Sequence, residues 1–109
     1  MAIKFLERGS TISKSVLREI LNHRLLVSHP YIVKFREVFL TPRFLGICME
    51  FAAGGDMFEY VIQHKSQEAN QGLPEGAVRH FFQELIIGLG FAHELGIANR
   101  SATVPVCSF

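Results

Sequence analysis

The sequence predicts an α+β domain of modest size, and three observations carry that prediction. β-type runs near 2–6, 31–40 and 44–51 are interspersed with segments of helical period. The 109 residues are enough for one modest domain and too few for two, so a complete two-lobed enzyme with a closing cleft is not expected. Hydrophobic residues make up 49% and charged residues 19%, which is the balance of a chain that fills a core, unlike a disordered tail.

Ala2 to Leu6 reads as a short strand with nothing before it to pair with, so its neighbours are expected to be missing. From Ser10 to about Val27, Ile12, Val16 and Ile20 recur every four residues beside Leu17 and Leu21, which predicts an amphipathic helix with a Ser/Thr-rich start. His29-Pro30 stops it, because the residue before a proline is pushed out of the helical region. Tyr31, Val33 and Phe35 alternate with polar neighbours as far as Leu40. Thr41-Pro42-Arg43 then supplies a turn and Phe44 to Phe51 forms a second run, together a hairpin. Ala52-Ala53-Gly54-Gly55 breaks the pattern. Asp56 to about His64 resumes as a short helix, and Lys65 to Gly72 reads as a polar surface loop. Pro74 is expected as an early helical residue. Val78, Phe82, Leu85, Ile86 and Leu89 then form a stripe expected to be core, running to Leu95 with Gly96 as the stop. His93 falls in that stripe, where a packed, hydrogen-bonded histidine is expected before a catalytic or metal-binding one.

Charge excludes several classes of function. Eleven Lys plus Arg against ten Asp plus Glu leave a net of +1, so no broad field favours nucleic acid or an anionic membrane, and neither is expected as a partner. Nine of the ten acids are Glu and the only Asp is Asp56, so a site built on paired aspartates is excluded. Cys48 and Cys107 form no CxxC and have no His at zinc-ligand spacing, which makes ordinary reduced thiols the expectation. Without a secretory signal or an apolar membrane span, the expected location is cytoplasmic or nuclear. The sequon match at Asn99-Arg100-Ser101 is then without consequence.

Several short motifs in fixed order resemble a eukaryotic protein kinase. They are Ala2-Ile3-Lys4, Arg18-Glu19-Ile20, His29-Pro30, the hairpin, Met49-Glu50-Phe51 and Gly54-Gly55-Asp56. The wording of Ala2-Ile3-Lys4-Phe5, of residues 18–24, of Leu40-Thr41-Pro42 and of residues 81–86 is most similar to the plant and algal sucrose-non-fermenting-related stress kinases, which phosphorylate Ser and Thr. The resemblance covers about residues 1–98. It implies a partial kinase fold: an incomplete small-lobe antiparallel sheet with one helix over 1–48, a hinge at 49–55, the first two large-lobe helices over 56–98, and a divergent tail at 99–109.

The resemblance also implies a site. A strand lysine can place its charge on the α- and β-phosphates of ATP, and a glutamate on the packed helix can hold it there; Lys4 and Glu19 match that pair. Taken alone, the same two residues would read as a solvated surface pair. Met49 would control the back of the pocket, while the Glu50 carbonyl and the Ala52 amide and carbonyl would take the adenine edge. Asp56 would reach the ribose hydroxyls, and an Asp there can also cap a helix. The family's cofactor is ATP with magnesium, and its partners are ATP and a protein substrate. No metal-ligand residue is assigned in this chain.

The pattern also breaks. The glycine-rich loop over the phosphates is not present, and Gly88-x-Gly90-x-x-His93 is no substitute because it lies in an apolar helix and lacks the third glycine. Asn99, Arg100 and Ser101 stand where the family has His-Arg-Asp, so no catalytic residue is assigned. A serine hydroxyl has no basic form near neutral pH. The magnesium-holding Asp-Phe-Gly does not follow, and the loss of resemblance near Ala98 suggests an altered reading frame or a retained intron. The connection at Leu25-Leu26-Val27-Ser28 is one residue longer than the family usually has. The expectation is therefore a truncated Ser/Thr kinase segment that is catalytically inactive. The alternatives are a non-catalytic interaction module and a truncated gene product without function.

Overall fold

The computed structural model describes residues 1–9, 12–64 and 72–98. Three strands and three helices follow in the order β1 (Ala2–Glu7), α1 (Lys14–Leu25), β2 (Phe35–Leu40), β3 (Phe44–Met49), α2 (Met57–Gln63) and α3 (Glu75–Glu94). They fall into two compact units. The first comprises Met1–His29 with Val33–Phe51, and the second comprises Pro30–Ile32 with the chain from Ala52 onward.

In the first unit the strands make one antiparallel sheet in the order β1-β3-β2. β3 is the hydrophobic run, so it takes the centre, where both of its edges are paired; Leu45, Ile47 and Cys48 are buried there. β1 finds its partner some forty residues downstream, with Lys4 opposite Ile47 and Phe5 opposite Gly46. Alternation puts Lys4, Leu45 and Ile47 on one face and Phe5, Gly46 and Phe39 on the other. On that second face the Phe5 ring meets Phe39 and Phe44 edge-on, at centroid distances of 6.1 and 5.9 Å. The hairpin closes at Thr41, whose hydroxyl accepts from the Phe44 N–H at 2.8 Å. Between Phe35 and Glu37 the β2 register shifts by one residue, a β-bulge at Arg36.

Three expectations need adjusting here. α1 begins at Lys14, with Ser13 at its N-cap making no side-chain cap bond. β2 begins at Phe35 and not at Tyr31, because residues 30–32 pack into the second unit; a Cβ on Gly88 would lie 3.6 Å from both Ile32 and the Tyr31 carbonyl. The additional residue before His29-Pro30 is absorbed in a turn after α1, where the His29 N–H donates to the Leu26 carbonyl at 3.2 Å.

In the second unit Pro74 is the N-cap of α3, just outside the helix and not an early residue of it, with φ −54° and ψ 140°. The helix ends in a Schellman motif. Gly96 takes φ +72°, its N–H donates to His93, and the Ile97 N–H donates to Ala92. The apolar stripe of α3 is only in part the core it was expected to be: Leu85 and Leu89 are half-buried. Val78, Phe82 and Ile86 are 49%, 60% and 50% exposed, and the buried positions of α3 are Gly88 and Ala92. Among the described residues of this unit, Tyr60 of α2 meets Phe81 edge-on at 5.2 Å and Ile32 lies over Gly88, which covers one side of the helix only. His93 is correspondingly exposed in the last turn, contrary to the packed position expected for it.

Candidate functional site

Lys4 lies mid-strand on the sheet face that carries Leu45 and Ile47. Its Nζ donates to Glu19 Oε1 of α1 at 3.0 Å. The two side chains are 48% and 58% exposed, so the pair is open to water and to a ligand. What orients α1 is found one helical turn further on. His23 Nε2 lies 2.7 Å from the Val33 carbonyl, which can only accept, so the ring donates there. The same ring meets Phe35 edge-on at 5.7 Å. Glu19 and His23 are four residues apart and share a helix face. Tying His23 to the chain entering β2 therefore holds the helix rotation that presents Glu19 to Lys4. The additional residue in the connection leaves this pairing intact.

Met49 ends β3 opposite Ala2 and Phe35 and is half-buried. Glu50 follows and makes two bonds to one residue. Its N–H donates to the Lys34 carbonyl at 2.9 Å, and its Oε2 accepts from the Lys34 N–H at 3.2 Å.

In the second unit the Ala52 carbonyl accepts from the Gly55 N–H at 3.3 Å, closing a turn for which Gly55 adopts φ +78°. Asp56 is the N-cap of α2, and its Oδ1 accepts from the Glu59 N–H at 2.8 Å. The structure thus joins Lys4 to Glu19 and sets Met49 and Glu50 at the end of the same sheet. It occupies Asp56 Oδ1 as a cap and leaves the residue exposed. Asn99, Arg100 and Ser101 lie outside the described residues.

Sequence reasoning missed His23 and the Glu50 carboxylate. The one-turn spacing from Glu19 was a usable signal for His23. Glu50 had none, because its bond depends on a strand partner that the chain order does not reveal. A hollow of about 920 Å³ in the first unit lies elsewhere, lined by Leu17, Leu21, Val38 and Leu40 beside Arg24 and Arg36. Among the described residues no three His, Cys, Asp or Glu side chains cluster as metal ligands. ATP fits in part, since Lys4 supplies an exposed, oriented cation. No helix among the described residues is long and apolar enough to cross a membrane.

Comparisons with known proteins agree with this arrangement. The protein kinase domain profile matches residues 1–101. The chain is 47% identical over 100 residues to the serine/threonine-protein kinase SRK2J of Arabidopsis thaliana, covering 92% of this chain and 27% of that protein. It is 46% identical to SRK2A of Physcomitrium patens, again covering 92% of this chain and 27% of the relative. For SAPK3 of Oryza sativa the identity is 45%, with 92% and 28% covered. The chain therefore spans about a quarter of the length of these relatives. The fold is similar to Rad53 residues 1–466 crystallised with AMP-PNP, with a TM-score of 0.71 at 23% identity over 91% of this chain and 24% of that one. A strand lysine paired to a helix glutamate on a three-stranded antiparallel sheet, within a sequence nearly half identical to plant kinases, leads to one conclusion: the chain belongs to the protein kinase family, among relatives that are plant serine/threonine kinases.

Proposed function

We propose that these residues are the nucleotide-holding slice of an ATP-dependent protein serine/threonine kinase and that, as they stand, they do not transfer phosphate. The observation that carries the first half is the 3.0 Å bond from Lys4 to Glu19. In this reading Lys4 neutralises the α- and β-phosphates and Glu19 fixes its amine. The Glu50 carbonyl and the Ala52 backbone take the adenine edge, Met49 bounds the back of the pocket, and Asp56 offers its second oxygen to the ribose. ATP, held with magnesium, would supply the phosphoryl group, and the acceptor would be a Ser or Thr of a protein. The division into a small-lobe remnant at 1–48, a hinge at 49–55 and a large-lobe start at 56–98 belongs to the same reading.

Ser101 supports the second half. A general base must hold a proton-accepting form near the operating pH, and a hydroxyl does not. These 109 residues offer one Asp in all, already engaged as a cap.

Titration with magnesium-ATP, followed by thermal unfolding, tests both halves. The expected result is a cooperative transition that rises with nucleotide in the wild type and not in Lys4→Met, together with no labelling of a generic peptide substrate. Peptide phosphorylation that Lys4→Met abolishes would sink the inactivity. A cooperative transition without any nucleotide shift would favour a non-catalytic interaction module, the reading supported by the exposed row Leu17, Leu21 and Leu25 on α1.

A further inference from the structure

We propose that the Glu50 side chain is a positioning group: it takes over a hydrogen bond of the sheet ladder and thereby leaves the Glu50 carbonyl available to the 6-amino group of a purine. This rests on the nucleotide reading above and adds to it a residue role that the strand pairing alone reveals.

Two opposed residues of a hydrogen-bonded antiparallel pair normally exchange both of their N–H to carbonyl bonds. Continuing the register one residue beyond its last pair, Phe35 and Met49, brings Lys34 opposite Glu50. Half of the exchange is made, with the Glu50 N–H on the Lys34 carbonyl at 2.9 Å. The return bond is diverted, since the Lys34 N–H donates to Glu50 Oε2 at 3.2 Å. Among the described residues, the backbone bonds outside helices and strands include none to the Glu50 carbonyl. The β-bulge at Arg36, two residues after Lys34, adds twist where the strands part, which is where a ladder bond is most easily exchanged for a side-chain one.

The exchange makes chemical sense. A carboxylate is the stronger acceptor for an amide N–H, so the side chain outcompetes its own main chain. The strand end stays tied at two points while its carbonyl keeps both lone pairs. Were the side chain removed, the Lys34 N–H would turn to the main-chain carbonyl, and the group that reads adenine would be pulled back into the sheet.

Calorimetric titration with magnesium-ADP and the magnesium complex of purine riboside 5′-diphosphate tests this, because that base keeps N1 as an acceptor for the Ala52 amide and lacks only the amino donor. The wild type is expected to prefer ADP by about tenfold or more, as a site built on a hydrogen bond rejects the analogue that cannot make it. Glu50→Ala is expected to bring the two ligands within about threefold, and Glu50→Gln, whose amide oxygen reaches as far, to keep the preference. Amide exchange at Lys34 should remain slow in Glu50→Ala as the main chain recloses. If Glu50→Ala does not fold, Glu50→Asp takes its place, keeping the charge one methylene short; it should lose the preference that Gln keeps. A wild type that prefers ADP while Glu50→Ala keeps the preference overturns the positioning role alone, as does Asp outperforming Gln. A wild type that binds neither nucleotide overturns the nucleotide reading and this role with it.

Discussion

At Gly46 the missing side chain decides how the aromatic face of the sheet packs. A Cβ built there would lie 2.3 Å from Phe39 Cζ, inside the ring that covers it. Gly46→Ala is expected to cost about 1–3 kcal/mol by overpacking, read from urea unfolding, and Phe39→Leu in the same chain should recover part of it. Lys4 and Glu19 present the opposite case. Their exposure means that the pair itself contributes under about 1 kcal/mol to stability, because water screens it. Lys4→Met and Glu19→Gln should therefore leave the unfolding midpoint nearly unchanged while weakening nucleotide binding. A midpoint that drops by much more would place the pair in the fold and not in the site. Both residues were legible only through the motifs that resemble a kinase, since alone they read as a surface pair. His23 was not recognised because a histidine's role depends on which acceptor the fold brings to it, here the Val33 carbonyl.

At the scale of elements, α2 shows how one residue can carry two assignments. The helix has seven residues, and Asp56 caps it through Oδ1. Asp56→Ala is expected to cost about 1 kcal/mol. Asp56→Ser, an equally good cap without the charge, should restore the stability and, if the ribose contact holds, not the nucleotide affinity. Circular dichroism melting and ligand titration separate the two. At the other end of the unit, Gly96→Ala places a Cβ at φ +72° and should cost about 1–2 kcal/mol of thermal stability. Helix and strand identities were readable because their apolar periods are local. Boundaries were less so. Tyr31 and Val33 alternate like strand residues, yet the Tyr31 carbonyl and Ile32 are committed to α3 at Gly88, a contact made across more than fifty residues of sequence.

For the molecule as a whole, the decisive feature is apolar surface without cover among the described residues. Val78, Phe82 and Ile86 on α3 line up at helical spacing and are half-exposed or more. Contiguous exposure of this kind promotes association. Replacing the three with Glu, Lys and Gln is expected to lower binding of an apolar dye and shift gel filtration toward monomer, with helical content retained. A collapse of helical content would instead show that the stripe holds the unit together. The α+β class, the order of elements, the family and the pairing of Lys4 with Glu19 were determined by the sequence alone, because each depends on local period or on a motif whose wording is itself the signal. Tertiary structure decided that β3 sits between β1 and β2, that Val78, Phe82 and Ile86 of the α3 stripe are open, and that Glu50 diverts a ladder bond. These follow from which distant groups meet, and a hydrogen bond or a buried face exists only when the fold supplies its other half.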